Sequence, residues 1–321
     1  MVIKKFNYTK FIIFIVIAIG IIFGIIYAIT KVVSNYNYTK TYEYKLLNIG
    51  YDIDETKVLI NKLDESKLDE ILNRKQDSKI VSFMKEKYFI YDNLDNYLSY
   101  RNSHKDYDYS KIVAIINTEA NIEWIDNEKE TDTSKGNLML VNRLYGLNKE
   151  YVPENIVKIP ELYAYSGMKI SNDILENVIS LIEDAKEEGF TFVVSSGYRT
   201  YKEQKSLYNS YANSYGKSAA DEYVARPGHS EYETGLSLDI EPYKYTSKVK
   251  NVKDSEEYKW LRENAHNYGF IFRFDSDKEY LTGFSEDIWR LRYVGNDAAS
   301  MIYNENICFE EYYAYFVNKG D

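Results

Sequence analysis

The chain has 321 residues, 45% of them hydrophobic and 28% charged, with a net charge of −10 at neutral pH. That balance excludes wholesale disorder, and mixed, net acidic charge excludes the basic stripe of a nucleic-acid groove, so no nucleic-acid partner is expected. The single cysteine, Cys308, rules out an intramolecular disulfide and any zinc site built on two or four cysteines, which leaves His104, His229 and His266 for imidazole chemistry. Tyrosine is abundant, with 34 residues. Aromatic platforms for sugar rings are one reading. A nucleotide-composition bias, with Ile, Asn and Lys frequent alongside, is the simpler one.

Residues 11–30, FIIFIVIAIGIIFGIIYAIT, carry no charged side chain. Twenty helical residues span roughly 30 Å, the hydrocarbon thickness of a bilayer. Lys4, Lys5 and Lys10 precede the run, which keeps residues 1–10 cytoplasmic and places the rest outside. A cleaved signal peptide would have a shorter apolar stretch and an A-x-A-like site, and YAITKVVS matches that poorly. The segment therefore reads as a single-pass anchor in the cell membrane. Gly20 and Gly24 form a G-x-x-x-G pattern that could pack two such helices into a homodimer.

SNYNYTKTYE (34–43) reads as a polar stalk. A helical module and linker follow over residues 34–130. DETKVLINKL takes a cap at Asp54, SKLDEILNR a cap at Ser66, and SKIVSFMKEKYF and DNLDNYLSYR add two more helices. A spacer is the plain reading of this module, and wall binding is the alternative. KIVAIINT (111–118) reads as a strand and ETDTSKGN (130–137) as a loop. LMLVN and NIVKIP read as short strands or extended segments. Residues 172–188 form an amphipathic helix that ends at Gly189, and FTFVVSS (190–196) is a strand. Thr200 and Glu203 form a capping box for the next helix. Trp260 to His266 lies on a helix, and FIFRF and IWRLRYV alternate as strands. Helices flanking a small antiparallel sheet give an α+β class.

Three blocks in fixed order carry a resemblance: SSGYRTYKEQ (195–204), ARPGHSEYETGLSLDI (225–240) and EDIWRLRYVG (286–295). They resemble the VanY-type D-Ala-D-Ala carboxypeptidases, zinc peptidases that trim peptidoglycan stem peptides. The resemblance assigns residues 131–321 to such a domain and implies a small α+β fold of the D,D-carboxypeptidase/hedgehog-like kind. The family's zinc motif is S-x-H-x-x-G-x-A-x-D, followed by E-P-W-H. Carried over, Ser230, Gly235 and Asp239 match, and Asp239 is the one retained metal ligand. Tyr232 and Arg290 occupy the other two ligand positions, and Asp287 stands where the general-base Glu belongs. Arg199, Gln204 and Ser230 keep the substrate-side positions, with Arg199 expected to hold the substrate or a developing oxyanion.

A catalytic zinc needs three protein ligands and an open position. A neutral phenol binds zinc poorly, and arginine stays protonated and cannot ligate. No bound cofactor is therefore expected. Glu231 and Glu233 flank the first ligand position rather than fill it. His229 reads as a surface-loop residue, and His266 as a residue near a helix C-terminus, where a cation is welcome. If residues 289–293 form a strand, Arg290 and Arg292 share a face, and Arg290 can enter the former metal cavity and pair with Asp239 and Asp287. The leading expectation is a membrane-anchored, cell-surface pseudo-peptidase that recognises peptidoglycan stem peptides. The alternatives are an active D,D-carboxypeptidase with rearranged ligands and a structural envelope protein.

Overall fold

The computed structural model describes residues 8–123, 127–243 and 252–318, and the chain divides into two compact units, Met1–Ser110 and Lys111–Asp321. The first unit begins with the long helix α1 (Tyr8–Tyr38), which continues through the first half of the expected stalk. Its stretch Ile15–Tyr38 is apolar and unburied throughout, with a mean hydropathy of 2.5. Five short helices follow: α2 (Tyr42–Ile49), α3 (Ile53–Lys62), α4 (Glu65–Leu72), α5 (Ser78–Lys85) and α6 (Leu94–Ser103). Leu46, Leu59, Ile71, Ile80 and Met84 close their shared core. Two caps sit earlier than the sequence suggests. Asp52, not Asp54, caps α3 in a reciprocal box with Glu55, and Asp64, not Ser66, caps α4. In both cases a carboxylate two positions upstream reaches the free amide three residues on, the geometry that a cap requires.

KIVAIINT is not a strand. It lies in helix α7 (Tyr109–Asn117), where Ile112 to Ile116 are all buried. A short run that is apolar on every side fits a buried helix as well as a buried strand, and its periodicity cannot separate them. Next come β1 (Lys129–Glu130) and β2 (Tyr145–Gly146), paired in parallel, and β3 (Ile156–Lys158) and β4 (Lys169–Ser171), paired antiparallel. LMLVN lies outside these ladders, buried from Met139 to Asn142.

The main sheet uses β5 (Phe192–Ser196), β6 (Ser237–Pro242), β7 (Phe270–Phe274) and β8 (Asp287–Tyr293). Its spatial order is β5-β6-β8-β7, and every neighbouring pair is antiparallel. Helix α8 (Leu175–Glu187) precedes β5, and between the strands run α9 (Tyr201–Tyr215), α10 (Lys217–Tyr223), α11 (Glu256–Asn264) and α12 (Glu279–Thr282); α13 (Asn296–Glu305) and α14 (Phe309–Tyr312) close the unit. Strand alternation sorts the side chains. Val194, Leu238, Ile240, Leu291 and Phe270 enter the core with Val178, Leu181 and Ile182 of α8 and Leu261 of α11. The alternate residues Ser237 and Asp239 of β6, and Arg290 and Arg292 of β8, therefore share the other face. This is the α+β architecture expected from the sequence.

Candidate binding site

On that face the register decides which charges meet. Asp239 stands directly opposite Arg290, and Ser237 opposite Arg292. Cross-strand neighbours lie within easy reach of long side chains. Arg290 donates from Nε to Asp239 Oδ1 at 2.7 Å and from Nη2 to Asp287 Oδ2 at 3.0 Å. The other oxygen of Asp287 accepts the Trp289 amide at 3.1 Å. The expected pairing of Arg290 with Asp239 and Asp287 is thus present, and both oxygens of Asp287 are engaged.

Tyr232 arrives from the turn Glu231–Thr234 that precedes β6. Thr234 ties the turn, donating to the Glu231 carbonyl at 2.6 Å and accepting the Leu236 amide at 3.0 Å. Gly235 closes it with φ +73°, and a Cβ there would meet Ile156 Cδ1 at 2.7 Å. Only glycine serves where a left-handed backbone and a close neighbour coincide. The turn drives Tyr232 inward to 5% exposure, and its hydroxyl donates to Asp239 Oδ2. Two guanidinium groups lie against its ring, Arg290 at 4.1 Å and Arg199 at 4.4 Å from the centroid. Burial pushes the Tyr232 phenol above its ordinary pKa, against the pull of Arg290, and Asp239 adds to the rise. Burial works against the charge of Arg290, but Tyr232, Asp239 and Asp287 outweigh it and hold the guanidinium above its usual range. The centre is therefore a protonated phenol and a fixed cation around one carboxylate.

Arg199 follows β5, where Thr200 and Glu203 form the expected capping box of α9. Its Nη1 donates to Gln204 Oε1 at 2.7 Å, and Gln204 Nε2 donates to the Ala225 carbonyl at 2.7 Å. The hydrogen-bond partner of Arg199 is neutral, and its charge, felt by Glu203 and Glu233, also faces the cavity that it lines. That cavity encloses about 500 Å³ and brings together Arg199, Gln204, Ser230, Tyr232, Asp287 and Arg290. Phe274 and Trp289 supply apolar wall.

Behind the turn lies a charge network that the sequence reading missed. Glu231 Oε1 accepts from Arg273 Nε at 2.8 Å and from Arg292 Nη1 at 2.9 Å. Glu310 of α14 takes the far side of Arg273 in a two-pronged contact at 2.6 and 2.9 Å. Arg292 also donates to the Met139 and Asn137 carbonyls at 2.9 and 3.1 Å, which explains why LMLVN is buried without a ladder. Arg273 and Arg292 are 1% and 0% exposed. Burial works against ionising Glu231, but Arg273 and Arg292 overcome it and hold its carboxyl below the usual range. The available signal was weak: an arginine inside the aromatic strand FIFRF.

The two histidines near the fold's motifs correct their expected roles. His229 is 8% exposed rather than a surface-loop residue, with Nδ1 2.8 Å from the Asn142 carbonyl. His266 stacks on Tyr303 at 3.9 Å, and burial lowers its pKa, so a cation is not favoured there. Glu233 accepts the Gly228 amide at 2.8 Å and is pushed up to about 7 by burial.

The donors present do not fit zinc. Of the three positions that the resemblance assigns to metal ligands, one holds a guanidinium, one a protonated phenol, and the third, Asp239, has both oxygens taken by those two neighbours. Asp287 is engaged by Arg290 and the Trp289 amide, and Glu231 and Glu233, which flank Tyr232, are committed to Arg273, Arg292 and the Gly228 amide. Among the described residues there is no group of three or more His, Cys, Asp or Glu that could hold a metal.

Fold and site together define a carboxypeptidase-type α+β domain whose central cation is an arginine. The chain belongs to the VanY family, described as D-alanyl-D-alanine carboxypeptidase, which it matches over residues 167–296. YodJ of Bacillus subtilis, assigned provisionally to the carboxypeptidases, is 33% identical over 198 residues, which cover 60% of this chain and 72% of YodJ. Among solved structures, the LD-carboxypeptidase LdcB, reported with the molecular basis of peptidoglycan recognition, aligns at a TM-score of 0.55 and 32% identity, over 60% of this chain and 93% of LdcB. A VanY D,D-pentapeptidase from a VanB-type vancomycin-resistance cassette, solved in complex with Zn(II), is 34% identical over 55% of this chain and 98% of that one, at a TM-score of 0.48. The family is zinc-dependent, and among the described residues of this chain there is no metal-binding group.

Proposed function

We propose that this protein is a membrane-anchored, non-hydrolytic receptor for the carboxylate ends of peptidoglycan stem peptides. The observation that carries the reading is the Arg290–Asp239 pair at 2.7 Å, with Asp287 on the same guanidinium at 3.0 Å. A guanidinium supplies charge, but it has no open coordination position and cannot lower the pKa of a bound water. Asp287 is no free base either, because Arg290 and the Trp289 amide occupy it. Recognition needs less. Arg199 presents a cation to a cavity walled by Phe274 and Trp289, a setting that suits a peptide carboxylate with a small side chain. The peptidoglycan class comes from the family and from the relative solved with the basis of peptidoglycan recognition. The anchor is read from the exposed apolar helix Ile15–Tyr38.

The test is a titration of the full chain in detergent with a pentapeptide ending in D-alanyl-D-alanine. Saturable binding is expected. Arg199→Ala should weaken it by roughly ten- to a hundredfold, the worth of one charge-assisted hydrogen bond in a desolvated site. Equal affinity in the variant, or release of D-alanine by the wild type, would contradict the reading.

A further inference from the structure

The stretch from Ser206 to Gly216, SLYNSYANSYG, has no charged residue in a chain that is 28% charged. It forms most of α9, and helical spacing puts Leu207, Tyr211 and Tyr215 in one stripe. Tyr223 of α10 joins them. The rings of Tyr211 and Tyr215 are 4.7 Å apart at 44°, and those of Tyr211 and Tyr223 are 6.4 Å apart at 42°. These side chains do not build a core. Tyr215 is 68% exposed, Tyr223 60% and Leu207 41%. Single exposed tyrosines need no explanation, and a composition rich in tyrosine supplies them. A contiguous exposed aromatic stripe on an uncharged stretch of helix is a different matter. Leu207 and Tyr223 also line the mouth of the cavity that holds Arg199. The exposed residues Ser210 and Ser214 follow Leu207 and Tyr211 by three residues and so share the face, with the Ser214 hydroxyl donating to the Ser210 carbonyl at 3.0 Å.

We propose that the Tyr211–Tyr215–Tyr223 stripe is a docking surface for a neutral chain of β-linked pyranose rings, the glycan that carries the peptide. The proposal rests on the peptidoglycan reading above and names a second component of the same ligand. Three features choose this occupant. A pyranose presents an apolar C–H face to an aromatic ring and hydroxyls to its sides, which suits tyrosines flanked by serines. The stretch from Ser206 to Tyr215 brings no charge to attract a charged peptide, and Glu222, beside Tyr223, repels an anionic lipid headgroup. The stripe opens onto the peptide cleft, so one peptide-bearing strand can occupy both.

The experiment uses the full chain in detergent and two probes: a β-1,4-linked N-acetylglucosamine hexamer and the D-alanyl-D-alanine pentapeptide. The hexamer should bind the wild type, and Tyr215→Ala and Tyr211→Ala should each weaken it roughly tenfold, as loss of an aromatic anchor does. Peptide affinity should not change in either variant, whereas Arg199→Ala should lose the peptide and keep the hexamer. Absence of hexamer binding, or wild-type affinity for it in both tyrosine variants, would overturn the glycan surface and leave the peptide reading standing. Loss of peptide binding alone, with the hexamer pattern intact, would overturn the peptide reading instead. Self-association abolished by Tyr215→Ala and not relieved by the hexamer would assign the stripe to a second copy and overturn the proposal.

Discussion

In the proposed reading Arg290 stands where the family's motif has a metal-binding imidazole, and that changes what the centre can do. Here it brings a delocalised cation that bonds Asp239 and Asp287 at once. This contact was legible because two facts suffice: motif spacing fixes both positions, and strand alternation puts Arg290 on the Asp239 side. The role of Glu231 was not legible. Its partners Arg273 and Arg292 lie 42 and 61 residues away, and no periodicity pairs them. Glu233 shows how burial acts on a single group. Its folded pKa, about 7, lies above the ordinary glutamate value. Below that ordinary value the group is protonated in both the folded and the unfolded chain. As pH rises toward 7 the unfolded chain releases the proton first, so stability present in acid is lost across this window. Denaturant melts of the wild type from pH 4.5 to 7.5 should show this fall, and Glu233→Gln should flatten it.

At the scale of elements, the turn Glu231–Thr234, β7 and β8 and helix α14 are held to one another by buried charge. Glu310, at the end of that chain of contacts, belongs to a four-residue helix well beyond the residues that match the family. Its removal leaves Arg273 with one buried carboxylate instead of two. Breaking one side of such a network costs roughly 3–5 kcal/mol. Glu310→Ala should therefore lower unfolding stability by about that amount in a chemical melt, with the main loss in the unit from Lys111 onward. A change below ~1 kcal/mol would show that the network is not structural. The strands and the long amphipathic helix could be read from alternation and the 3.6-residue period. Helix α7 could not, because five successive buried residues erase the face that tells a helix from a strand. The caps of α3 and α4 were misplaced by two residues for a similar reason: several acidic residues crowd each start, and only geometry selects the one that reaches the amide.

On the scale of the whole molecule, an apolar helix, a small helical unit and a VanY-family domain follow one another along the chain. In the proposed reading this order presents the family domain of a membrane-anchored protein to the cell wall. Net acidity fits neither nucleic acid nor an anionic surface, and the cavity's cation Arg199 is the local exception that an anionic peptide end would seek. The central claim is that an organic cation has replaced the metal. Metal content measured on the full chain purified without chelators tests it most directly, beside the variant Tyr232→His, Arg290→His, Asp287→Glu. The wild type should carry only trace zinc after incubation with excess Zn(II) and desalting, and the variant should approach one zinc per chain. Stoichiometric zinc on the wild type would contradict the account.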